Sequence, residues 1–342
     1  MEDTIPNSNN SRMTRYFTFE VDSNTTIERV KAGLESALYK RGLSVPDGES
    51  SGFRSANIKL QKLTYMVVEH FDIPVIRTWY RYGQFEPYGT LRPKYVTPQT
   101  LDEPEMPVPS GEYDNLSQQD IEGYFLELGD LEEEWNRPLI DFLRANYENE
   151  AGDDYREIYL ANLEILEVLG KIETDQELPS RAAEYAERLE PAAIDLWYEM
   201  KEAPYFSKGE VNVVRDFVDD LQMGLITLAA EEDPEGPQVN VIKDARDLYH
   251  NKIWPWPTMQ ISINEAKGPE KELKDDFLPE GREYLSLWEE TFPDAFNNWQ
   301  KELYKVDLVG KPVEYQSIKH ETPEAVGKLE QASLYSASDV EE

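Results

Sequence analysis

Thirty-five surplus negative charges limit what this chain can fold into. Its 342 residues carry 69 Asp and Glu against 34 Lys and Arg, and the acids are spread over nearly every segment. Self-repulsion of that size opposes a compact state, and acid-rich chains with little apolar content stay disordered. Here, however, 39% of the residues are hydrophobic and 11% aromatic, with seven Trp and 20 Tyr. That is enough for an apolar interior, so the chain reads as a folded protein under an acidic skin. Its length suits one large domain or two ordinary ones.

Such a skin suits concentrated salt. The Debye length falls to roughly 3 Å at 1 M, where surface acids hardly repel one another. The expectation is a halophilic protein that loosens in dilute buffer. The absence of cysteine excludes disulfides, thiolate nucleophiles and cysteine zinc sites. The opening MEDTIPNSNNSR lacks a charged stretch followed by an apolar run, and nothing approaches the ~20 apolar residues of a membrane span. A soluble, cytoplasmic protein without membrane contact is expected.

Helical periodicity dominates most of the chain. Residues 15–21 suggest a short strand. Thr25-x-x-Glu28 forms a capping box for a helix through Ile27, Val30, Leu34 and Leu38 that Gly42 stops. A second helix is expected from about Asn57 to Phe71, and VIRTWYRY (75–82) reads as a strand with Gly83 opening a turn. Residues 86–116 hold six prolines and read as a long insert. Helices then start at Ser117-x-x-Asp120 and Asp130-x-x-Glu133, with Pro138 as a kink. Further helices are expected through Tyr155–Leu169 ended by Gly170, from Ser180 with a bend near Pro191, and after Ser207-x-x-Glu210.

The predicted fold class is mainly α: a multi-helix globular domain with a small β element near residues 75–83 and a smaller C-terminal helical region. The expected organisation is a flexible N-terminus (1–13), a helical domain (14–232) with its insert at 86–116, and a break in the apolar pattern at EEDPEGP (231–237). A helical region (238–308) with two aromatic helices split at Pro293 then leads into a flexible acidic tail (309–342).

One stretch departs from the acidic background. Residues 53–94 hold seven Lys and Arg (Arg54, Lys59, Lys62, Arg77, Arg81, Arg92, Lys94) against three acids. On a helix, Leu60, Leu63 and Val67 share one side, while Lys59 and Lys62, three apart, lie together on another. In the strand Trp79, Arg81 and Gly83 alternate with Tyr80 and Tyr82. Arg and aromatic residues are the types enriched in protein interfaces. A purely structural role, with lysines snorkelling out of a core helix, is the alternative.

The run Lys59-Leu60-Gln61-Lys62-Leu63-Thr64-Tyr65, with Trp79-Tyr80-Arg81-Tyr82-Gly83 after it, resembles the Panacea (SocA-like, DUF4065) domain. The resemblance spans about residues 57–89. Gln84 replaces the family's proline after Tyr-Gly, and the insert delays the later helices. It implies an antitoxin or adaptor that binds a protein partner, a toxin among the possibilities, through Lys59, Gln61, Lys62, Tyr65, Trp79, Arg81 and Tyr82.

Other motifs carry less. Gly48-Glu49-Ser50-Ser51-Gly52 matches G-x-S-x-G but comes after a turn rather than the buried strand a nucleophile elbow needs. His70, His250 and His320 stand far apart, outside any metal-binding spacing. Trp254-Pro255-Trp256-Pro257 reads as a stiff partner ligand, a sugar platform or a loop packed on the core. No catalytic residue, metal site or cofactor is predicted, and an enzyme is not favoured. The leading reading is a protein-binding module. A nucleic-acid-binding regulator using the basic stretch, and a hydrolase or transferase on an unfamiliar scaffold, stand as alternatives.

Overall fold

The computed structural model of the protein describes residues 24–46, 53–85, 117–128, 131–206 and 211–310. The expected strand at 15–21, the insert 86–116, the cap at Ser207–Glu210 and most of the tail lie outside them. The fold is mainly α, as the periodicity requires. It contains two compact units, each built from two stretches of chain: one runs up to Leu160 and resumes over Thr258–Tyr284, and the other takes Ala161–Pro257 and resumes at Leu285. The 231–237 break therefore lies inside the second unit and is a loop between two of its helices.

The first unit opens with α1 (Asn24–Lys40) and α2 (Phe53–His70). Gly42, at φ 72°, ends the first with the left-handed turn expected of it. α1 packs on α2 and on α3 (Gln118–Glu127), where Ser36 Oγ donates to Glu122 at 2.7 Å. The Ser117/Asp120 capping box is formed in both directions. Val30, Leu34, Leu60, Leu63, Val67, Ile121, Phe125 and Trp135 make one continuous core.

Between α2 and α3 lies a two-stranded antiparallel hairpin, β1 (Thr78–Tyr80) and β2 (Gly83–Phe85), with Trp79 opposite Gln84. Pro138 does not kink a continuous helix. It separates α4 (Leu131–Asn136) from α5 (Leu139–Glu150), standing just before the latter's first residue, where its missing N–H costs no hydrogen bond. Arg77 pairs with Lys267 in an isolated bridge, which joins the later stretch of the unit to the hairpin's edge.

α6 (Arg156–Thr174) runs on past Gly170, because Ile172 beyond it is fully buried. In the second unit α7 (Leu178–Glu202) and α8 (Asn212–Ala230) pack extensively on each other. α9 (Gly236–Leu248) comes next, and a π-helical turn, Tyr249–Ile253, leads into α10 (Pro255–Glu265). A Cβ on Gly224 of α8 would lie 2.9 Å from Ile242 of α9, so glycine permits that close approach.

A short helical stretch, α11 (Glu270–Glu272), runs through a π turn into α12 (Leu278–Lys305). Pro293 lies inside this single helix rather than splitting two. The aromatic side holds it: Trp256, Trp288, Phe292 and Phe296 succeed one another at ring separations of 5.1, 4.4 and 5.6 Å. Trp254 and Trp256 are buried, so the WPWP element is a packed helix start. No described helix is long and apolar enough to cross a membrane.

Candidate functional site

The residues singled out on α2 and the hairpin are, for the most part, inside the first unit. Lys59 and Lys62 were expected on the outer side of their helix. Instead they are 5% and 1% exposed. For Lys59 the cause is what packs over it. The Lys59 ammonium donates to the carbonyl oxygens of Trp135 and Arg137, closing the C-terminal end of α4, where unpaired carbonyls and the helix dipole favour a cation. It also lies 5.6 Å from the centre of the Phe142 ring. Burial lowers the affinity of Lys59 for its proton, and that of Lys62 more strongly.

Tyr65 and Trp79 are buried as well. Tyr65 donates to Glu69, and burial followed by that carboxylate raises its pKa. Glu69 in turn accepts from Arg77 at 2.5 Å, and Asp72 stands 3.6 Å from the same guanidinium. Trp79 is the hub of an aromatic nest, with Tyr155, Tyr159 and Tyr147 at ring separations of 5.2, 5.4 and 6.3 Å. The Tyr159 hydroxyl donates to the Tyr80 carbonyl at 3.1 Å. Burial raises Tyr155 to about 12.

Three of the seven, Gln61, Arg81 and Tyr82, remain partly exposed. Arg81 nevertheless hydrogen-bonds to the phenols of Tyr80 and Tyr284 and has a buried Nε. The basic stretch is thus not an open cationic face. Lys59, Lys62, Arg77 and Arg81 are engaged within the fold, while the side chain of Arg54 and residues Arg92 and Lys94 lie outside the described ones. Charge reversal at Lys62, which an exposed lysine would tolerate, would instead bury a carboxylate and damage the unit.

An accessible apolar surface occurs elsewhere, in the second unit. Ile194 and Tyr198 of α7 and Met223 and Ile226 of α8 are 58%, 54%, 55% and 55% exposed. Side-chain contacts fix the register of the two helices. The Gln222 amide lies 3.5 Å from Glu190, Trp197 Nε1 donates to Asn212 at 3.2 Å, and Arg215 lies over the Trp197 ring at 5.8 Å. Ile194 is four residues after Glu190 and three before Trp197. Ile226 is four residues after Gln222, and Met223 is one after it. Helical spacing therefore puts Ile194 and Ile226 on the side of the pair that the Glu190–Gln222 contact defines, one toward either end of that contact along the antiparallel pair. Sequence reasoning missed these residues because it tracked the apolar stripe that builds the core. The available signal was the apolar residues lying off that stripe.

Among the described residues, no group of three or more His, Asp or Glu is placed to hold a metal ion. Fold and surface together define a mainly α-helical protein with a tightly packed motif in one unit and an exposed apolar face in the other. The family described as "Domain of unknown function (DUF8098)" matches residues 16–111 and 89–335, and the chain belongs to that family. No curated protein and no solved structure matches it.

Proposed function

We propose that this protein is an interaction module, a Panacea-like antitoxin, adaptor or regulator that binds a partner protein in a halophilic cytoplasm. The observation that carries this reading is the α7–α8 face. Four large apolar side chains stay more than half exposed on neighbouring helices, while the other large apolar groups among the described residues are mostly buried. Scattered single apolar residues on a surface are ordinary, but a group on one helix pair marks a contact site. The resemblance of the α2 and hairpin motifs to Panacea domains supports the same class. Their role is to hold the first unit together, and the contact surface moves to the second.

Co-purification from native host extract in ~2 M KCl, a salt chosen to keep surface acids screened, tests the reading. Wild type should bring down a stoichiometric protein, and Ile194→Ser/Ile226→Ser should lose it while melting as wild type does. Wild type eluting alone, or a partner held equally by the double variant, would overturn the proposal.

A further inference from the structure

The chemistry around the exposed apolar residues says what kind of partner the face accepts. α7 and α8 together carry nine acids against four bases, and the bases are already held. Arg181 pairs with Asp175 at 3.1 Å and with Glu184 at 3.1 Å. Arg188 stands 3.6 Å from Glu167, and Arg215 lies 3.7 Å from Asp219. The Lys201 ammonium lies over the Trp197 ring at 4.9 Å. What the rim offers outward is carboxylate, from the exposed Glu187, Glu190 and Asp195.

We propose that this face binds a basic amphipathic helix of a partner protein, its apolar stripe laid over Ile194 and Ile226 and its Lys or Arg residues against Glu187, Glu190 and Asp195. Two helices lying side by side leave a shallow channel between them, and an apolar stripe recurring at i, i+3, i+4 and i+7 fits such a surface. The stretch from Glu187 to Tyr198 rises about 17 Å, which is three turns of a docked helix. Charge complementarity selects the occupant. A second copy of this chain would bring the same acids against the rim, nucleic acid would bring phosphates, and an acidic helix would be repelled. On a background of −35, a basic helix is the partner whose charge assists rather than opposes contact.

The inference rests on the interaction-module reading and has its own test. A fluorescent 16-residue peptide with leucines at helical i, i+3, i+4, i+7 spacing and lysines elsewhere would be titrated into the full-length protein by anisotropy, at low and at high KCl. Two controls go with it: the same composition scrambled so the leucines share no face, and an analogue with Glu for Lys. The expected result is saturable binding of the first peptide alone, weakened at least tenfold by Ile194→Ser/Ile226→Ser and reduced but not abolished by salt. Equal binding of the scrambled peptide, or binding unaffected by the double variant, would overturn it as unspecific charge attraction. Sedimentation showing a dimer that the double variant dissociates would overturn it in favour of a second copy. No peptide binding, together with co-purification of a partner that the double variant loses, would overturn the basic-helix inference while leaving the interaction-module reading standing.

Discussion

Single side chains show how this protein uses ionisable groups inside. Lys59 spans from α2 to two carbonyls at the end of α4. Lys59→Met keeps the stem but leaves those acceptors without their donor, and should cost about 2–3 kcal/mol, read as a lower urea midpoint at unchanged slope. Asp220 is a second case. It accepts from Gln300 Nε2 at 2.6 Å, yet burial raises its pKa above the ordinary carboxylate range. The folded state then holds this proton at pH values where the unfolded chain has released it. Its contribution is present at low pH and is lost as pH rises through the folded pKa. Asp220→Asn, which still accepts from Gln300, should flatten that part of the pH profile and raise the melting temperature at pH 7.5. An unchanged profile would show that Asp220 titrates normally.

Among the elements, the hairpin is sensitive at one glycine. Gly83 has φ 91°, and a Cβ there would lie 2.8 Å from Tyr147 and 3.0 Å from Trp79. Gly83→Ala combines backbone strain with a clash in the aromatic nest and should destabilise by about 2–3 kcal/mol. Loss of near-ultraviolet circular dichroism ahead of helical signal on heating would report it. Much of this level was legible in the sequence. The Ser117/Asp120 box and the Gly42 stop depend on local chemistry and are present, and a small β element lies where expected, but its first strand covers only Thr78–Tyr80 and Gly83 begins the second strand instead of opening a turn. What local pattern does not show is what a side chain meets far along the chain. Lys59 finds its acceptors 76 and 78 residues away, so its amphipathic spacing reads as solvent-facing. Gly170 and Pro293 likewise read as stops, yet the buried Ile172 and the ring stack through Phe292 carry both helices on.

For the whole molecule, charge decides. In a chain of net charge −35, compaction brings like charges together, which costs more in dilute buffer than in molar salt. The melting temperature should climb steeply between ~0.1 and 2 M KCl, and a midpoint indifferent to KCl would remove the halophilic reading. The carboxylates raised by burial, Glu35, Asp219, Asp220, Asp244 and Glu280, point the same way at low salt: modest acidification should be stabilising before the paired acids Asp120 and Asp175, held low by hydrogen bonds, begin to lose their charge.

The interleaving of the two units has a consequence for how the protein is made. Residues up to Leu160 form one unit only together with Thr258–Tyr284, and the other unit waits for Leu285 onward. A ribosome adding about 5–20 residues per second leaves the first hundred and sixty residues without their completing stretch for several seconds or longer. Buried positions such as Ile76, which packs with Phe277, are uncovered for that whole interval. A gene truncated at the 231–237 loop would leave both units unfinished. Nascent chains of this protein should therefore call on a holding chaperone throughout synthesis.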